Sequence, residues 1–166
     1  RYIFNGVNDR VLNLDWWMDD ANLNTIEFVY KHSQTKQTQT ILKSSGSGAE
    51  TLWDLRLVPS SDGISSSFEF RLSTANSGSN IGNDLGKSSI SMSTAYEKIT
   101  NGQLWNVMLQ RMTSSVSGSG TNEYRLHAAL QDGNTIETYN YVTMSVSGGL
   151  TNAYVTGGDV MTSSVH

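Results

Sequence analysis

The 166 residues include no cysteine and a single proline, Pro59. Without cysteine there is no disulfide scaffold, no thiolate zinc site, no thiol nucleophile and no redox pair. Only 16% of the residues are charged, net charge is −4, and Lys and Arg form no cluster, so nucleic acid is not an expected partner. No apolar run approaches the ~20 residues of a membrane-spanning helix, and membrane insertion is not expected. Helix-forming Leu, Ala, Glu and Lys are scarce, which argues against a helical bundle. None of the 14 Asn heads an Asn-x-Ser/Thr sequon, although Ser numbers 24 and Thr 16. A heavily N-glycosylated ectodomain is disfavoured on that ground. The chain opens at Arg1 without a basic-then-apolar leader, as a processed chain or an excised piece would.

What is present is alternation. With 37% hydrophobic and 9% aromatic residues the chain can bury a core. In Thr25–His32, Ile26, Phe28 and Tyr30 point one way and Glu27, Val29 and Lys31 the other. Leu52–Val58 sets Trp53, Leu55 and Leu57 against Asp54 and Arg56. Ser67–Leu72 sets Phe68, Phe70 and Leu72 against Glu69 and Arg71. Between these two runs lies Pro59-Ser-Ser-Asp-Gly63, a turn sequence that predicts an antiparallel hairpin. Leu104–Met112 places Trp105, Val107 and Leu109 together, with Met108 and Met112 opposite. Glu123–Gln131 places Tyr124, Leu126, Ala128 and Leu130 together, with Arg125, His127 and Gln131 opposite. Asp132-Gly133-Asn134 then turns into Thr135–Val142, a second predicted hairpin.

Weaker strands are expected at Tyr2–Phe4, Val11–Trp17, Gln39–Lys43, Ser88–Ser93, Thr143–Val146 and Ala153–Thr156, and short helical turns near Met18–Asn24 and Thr94–Thr100. The Ser- and Gly-rich stretches Ser44–Gly48, Ser73–Gly86 and Ser114–Thr121 are spaced as strand connections. A dozen short strands so connected predict an all-β domain over residues 1–166, a two-sheet antiparallel β-sandwich or jelly roll.

Several segments, in order, resemble the concanavalin A-like lectin/glucanase superfamily, in its laminin G-like and pentraxin-like branch. These are TIEFVYKH with QTILKSSG (Gln39–Gly46), WDLRLVPSSDG with FEFRL, ITNGQLWNVMLQR (Ile99–Arg111), YRLHAALQDG (Tyr124–Gly133) and AYVTGG (Ala153–Gly158). The turn glycine before W-x-x-V is the most specific of them. The resemblance implies a concanavalin A-like sandwich with one more strand after the Gly-Gly segment, returning to pair beside the first. Only the apolar-poor Asp159–His166 remains there. That predicts a closing strand supplied from elsewhere, or a longer chain of which this is part.

Few residues carry an obvious chemistry. The superfamily's hydrolases hold carboxylates at E-x-D-x-E spacing, which keeps acid and nucleophile on one strand face. Glu27, Glu50, Glu69, Glu97, Glu123 and Glu137 are each isolated, and Glu50 and Asp54 are four apart. His32, His127 and His166 lie at segment ends or an outward strand position and read as solvated; no serine sits in a nucleophile elbow. Gly82–Ser88 is one residue short of a phosphate-binding loop and runs into a strand-like segment. No catalytic residue is assigned, and no cofactor. Calcium is possible, with Asp15, Asp19, Asp20, Asp62, Asp84, Asp132 and Asp159 as oxygen donors, but no spacing reproduces a dedicated loop.

For glycan binding the useful groups are exposed aromatics beside amides and carboxylates. Trp53 and Trp105 read as core. Trp16 and Trp17 are adjacent and point to opposite faces, with Asp19 and Asp20 following. Tyr139 and Tyr141 share a face opposite Ile136, suited to packing, to a subunit contact or to a ligand platform. The candidate ligand residues are therefore Trp16, Trp17, Asp19, Asp20, Tyr139 and Tyr141. The composition resembles phage tail, fibre or decoration modules and bacterial adhesins. The expected role is a non-catalytic recognition or attachment module on a virion or in an extracellular protein. Its partner would be a glycan or a neighbouring structural protein, engaged by many copies. A glycoside hydrolase of the same fold, or a structural module without ligand, are the alternatives.

Overall fold

The protein, seen in a computed structural model, is described over residues 11–14, 24–33, 37–45, 51–73, 89–111, 121–147 and 159–162. Among these residues there are ten strands and no helix. They are β1 (Val11–Leu14), β2 (Asn24–Tyr30), β3 (Gln39–Ser45), β4 (Thr51–Pro59), β5 (Ser66–Ser73), β6 (Ser89–Ser93), β7 (Leu104–Arg111), β8 (Thr121–Asp132), β9 (Thr135–Ser147) and β10 (Asp159–Thr162). One sheet has the order β1-β10-β3-β4-β5-β6 and the other β2-β7-β8-β9. Every pairing between these strands is antiparallel.

The two sheets face each other through the side chains that alternation marks. Trp53, Leu55 and Leu57 of β4 and Phe68, Phe70 and Leu72 of β5 are fully buried, as are Val107, Leu109, Tyr124 and Leu126 from the second sheet. Rings interlock across the gap: Tyr30 meets Phe68 edge-on at 5.5 Å, and Phe70 lies 5.4 Å from Tyr124. Each large side chain so buried contributes about 1.5–3 kcal/mol, and the result is a β-sandwich with one apolar core. Arg111, at the inner-facing end of β7 opposite Tyr124, is also fully buried.

Both predicted hairpins form. Pro59 pairs with Ser66, Gly63 takes φ 67°, and Asp62 Oδ1 accepts from the Ile64 N–H at 2.8 Å. The hydrogen bonds from Ser60, Ile64 and Ser65 lower the Asp62 pKa. Asp132 pairs with Thr135 around the two-residue turn Gly133-Asn134.

Two expectations are corrected. Asp159–Thr162 does form a strand: β10 inserts between β1 and β3, pairing Val160 with both Leu14 and Ser44. A ladder of backbone hydrogen bonds needs no apolar alternation, so the low apolar content of Asp159–His166 did not forbid it. Thr94–Thr100 is not helical but runs on from β6, with Glu97 bridged to Ser66. On the outer face of the six-stranded sheet Asp54 is 3% exposed and takes a bidentate ion pair from Arg71, its partner across the ladder. Tyr2–Phe4, Ala153–Thr156, Trp16–Trp17 and Met18–Leu23 lie outside the described residues.

Candidate functional site

The outer face of the four-stranded sheet is where the described candidate residues come together. On β8, Tyr124, Leu126, Ala128 and Leu130 are buried inward, so Arg125, His127, Ala129 and Gln131 face out. Their neighbours on β7 are Gln110, Met108, Asn106 and Leu104, each directly opposite in register. On β9 the partners of Arg125, His127 and Ala129 are Thr143, Tyr141 and Tyr139.

Tyr139 and Tyr141 do share this face, and both are exposed, by 57% and 44%. Ile136 is not opposite them. The β8–β9 register shifts between Leu130 and Gln131: Leu130 pairs with Thr138, Gln131 with Ile136, and Glu137 has no partner in the ladder. This bulge adds one residue to the count and leaves Ile136, 64% exposed, on the same side as the tyrosines. Simple period-two counting therefore assigns Ile136 to the wrong face.

His127 organises the cluster. Its ring centroid lies 4.6 Å from that of Tyr141 and 5.9 Å from that of Tyr139. Its Nδ1 is 2.6 Å from the Tyr139 hydroxyl, within hydrogen-bond reach. Its Nε2 is shielded from solvent and has no hydrogen-bond partner among the described residues. Burial, and next the positive charge of Arg125, hold the His127 pKa below the ordinary imidazole value. His127 is thus half-buried between two rings, not a solvated histidine. The signal for it was its outward position in register with a tyrosine-bearing strand, which only the pairing of β8 with β9 reveals.

The flanks are polar. On one side Asn106 Nδ2 donates to Gln131 Oε1 at 3.0 Å, joining β7 to β8 beside Ala129. On the other, Arg125 is ion-paired with Glu123, and that hydrogen bond raises the Arg125 pKa. The surface is an aromatic patch of three rings, edged by carboxamides and a neutralised ion pair. Such a patch can stack on the C–H face of a sugar and hydrogen-bond its hydroxyls.

The other candidates, Trp16, Trp17, Asp19 and Asp20, lie outside the described residues. Trp53 and Trp105 are core, as expected. Among the described residues, no three His, Asp or Glu side chains gather as a metal site. No protein-family model, curated protein or solved structure matches the chain.

Proposed function

We propose that this protein is a non-catalytic recognition module that binds a glycan on the outer face of its four-stranded sheet. The exposed Tyr139 and Tyr141, stacked about the half-buried His127 beside Asn106 and Gln131, carry the reading. Two large aromatic rings stand open on a sheet face that also exposes Val29, Leu104 and Ile136, and an exposed patch of this kind edged by polar groups marks an interaction site. Sugars offer the matching chemistry, an apolar face ringed by hydroxyls. The sandwich architecture and the order of the sequence motifs support a concanavalin A-like, laminin G-like scaffold. The composition supports a setting on a virion or in an extracellular protein, where many copies turn weak single sites into avidity.

The hydrolase alternative is weaker on this face. Glu27 on β2 and Glu123 on β8 are two strands and four residues apart in register. Standard strand spacings put them about 16 Å apart, beyond the ~5–9.5 Å that paired glycosidase carboxyls span. Glu123 is also occupied by Arg125.

The test is a glycan array probed with the multivalently displayed protein, with and without calcium. Wild type binds a discrete set of oligosaccharides. Tyr139→Ala and Tyr141→Ala each weaken binding by about tenfold, or about 1.4 kcal/mol. Folded tyrosine variants that bind as wild type would end the reading.

A further inference from the structure

On the outer face of the four-stranded sheet, Asn106 bonds Gln131 and Arg125 is ion-paired with Glu123. His127 Nδ1 has the Tyr139 hydroxyl, but Nε2 is shielded from solvent and has no hydrogen-bond partner among the described residues. A neutral imidazole tolerates this arrangement. It can give its one N–H to the Tyr139 oxygen and leave Nε2 as a bare acceptor. An imidazolium carries N–H on both nitrogens, so its Nε2–H is unpaired and its charge is held away from water.

Among the described residues no neighbour offsets that cost. On β8 the neighbour on the same face is Arg125, a like charge, followed by its own partner Glu123. On β7 the facing residues Asn106, Met108 and Gln110 are uncharged. On β9 Thr143 is uncharged, and Tyr139 and Tyr141 are neutral phenols below pH ~10. β2 brings Glu27, which is opposite Met108 and so two strands, about 9.5 Å, from His127.

We infer that the aromatic platform is gated by a proton: a glycan stacked on Tyr139 and Tyr141 binds the neutral form of His127, and proton uptake by that imidazole releases it. The coupling rests on the glycan reading of this face. A stacked sugar closes the opening that the half-buried His127 keeps beside the two exposed rings. The charged form then loses the last of its solvation on binding, whereas the neutral form loses little. Linkage is reciprocal, so whatever makes the bound imidazole harder to protonate makes the protonated site harder to bind. In the free protein, burial and then Arg125 already hold the His127 pKa below the ordinary value. Affinity is therefore level above that midpoint and falls as pH drops through it, by up to about tenfold per pH unit.

The test titrates the protein with uncharged oligosaccharides selected on the glycan array, at pH 7.5 and at pH 5, with circular dichroism reporting the fold at both. Such sugars have no titrating group of their own. Wild type should bind at least ~3-fold more weakly at pH 5, the loss expected when a third of the sites are neutral. In His127→Gln, whatever its affinity, the ratio between the two pH values should fall to near one. In His32→Gln the pH dependence should persist. The His127 Cε1–H resonance of the wild type gives a second readout: saturating oligosaccharide should move its titration midpoint further down. If His127→Gln binds nothing, that midpoint decides. Equal or stronger binding at pH 5, as a cation drawn to two tyrosine faces would give, overturns the coupling. So does a pH dependence that survives in His127→Gln, or a midpoint that stays or rises on binding. Each of these leaves the glycan reading standing, whereas no oligosaccharide bound at either pH removes both.

Discussion

His127 Nδ1 lies 2.6 Å from the Tyr139 hydroxyl, and this contact ties β8 to β9 diagonally across the outer face of the four-stranded sheet. The ring stands between two tyrosines beside Arg125, with Nε2 out of reach of water. An imidazolium is disfavoured there, and burial leads the effect.

The sign of the pH dependence follows. A histidine with a lowered folded-state pKa binds fewer protons folded than unfolded, between that pKa and the ordinary value of about 6.5. Its contribution is fully present above the ordinary value, is lost as pH falls towards the folded pKa, and is constant below it. His32, whose pKa burial also lowers, acts in the same direction. Urea midpoints should therefore be lower at pH 5 than at pH 7.5, and the difference should shrink in His127→Gln. The His127 Cε1–H resonance should titrate with a midpoint below that of an exposed histidine. A midpoint at or above it would contradict the geometry.

The outer face of the other sheet carries two cross-strand ion pairs in adjacent rows, Asp54–Arg71 and Arg56–Glu69. They differ in burial. The Asp54 carboxylate is nearly enclosed, so Arg71→Ala strands a buried charge and should cost about 3 kcal/mol. Arg56→Ala acts on a more exposed pair, N···O 2.6 Å, and should cost about 1 kcal/mol or less. Chemical denaturation of the two variants measures both. Equal losses would refute the ranking.

Much of the fold was legible because the core strands alternate cleanly. Trp53-Leu55-Leu57, Phe68-Phe70-Leu72 and Trp105-Val107-Leu109 each write their buried face into period two, and two glycine turns mark the hairpins. The site was legible in part. Tyr139 and Tyr141 could be named as a shared outward pair, but Ile136 was misassigned because a bulge shifts the count by one without leaving a Gly or Pro to mark it. His127 was missed as a member because what it touches lies twelve and fourteen residues away, across a ladder whose register a local pattern does not state. The strand β10 was missed because four residues, Asp159–Thr162, are too few to write a side-chain period, while their backbone pairs with both β1 and β3.

The bulge predicts an asymmetry between deletions. Removing Glu137 lets Ile136 and Thr138 follow one another in regular alternation, so Tyr139 and Tyr141 stay outward and the His127 contacts survive. Removing Asn140 instead turns Tyr139 to the inner face. The Glu137 deletion should keep the His127 resonance and the fold. The Asn140 deletion should lose the tyrosine cluster and much of the stability, as thermal melts and the same spectrum report.

Gly133 holds φ 57° in the β8–β9 turn, with open space where a Cβ would stand. Gly133→Ala therefore meets no clash, and its whole cost is the left-handed backbone, about 1 kcal/mol. Denaturation should show that loss. No loss, or one several times larger, would mean that the turn is built differently.

The recognition surface itself is tested most directly by a titration of backbone and side-chain NMR resonances with an oligosaccharide selected on the array. Shifts centred on His127, Tyr139 and Tyr141 with the Asn106 and Gln131 carboxamides are expected, and their disappearance in Tyr141→Ala. Shifts confined to other regions, with these five residues unmoved at saturation, would contradict the proposed surface.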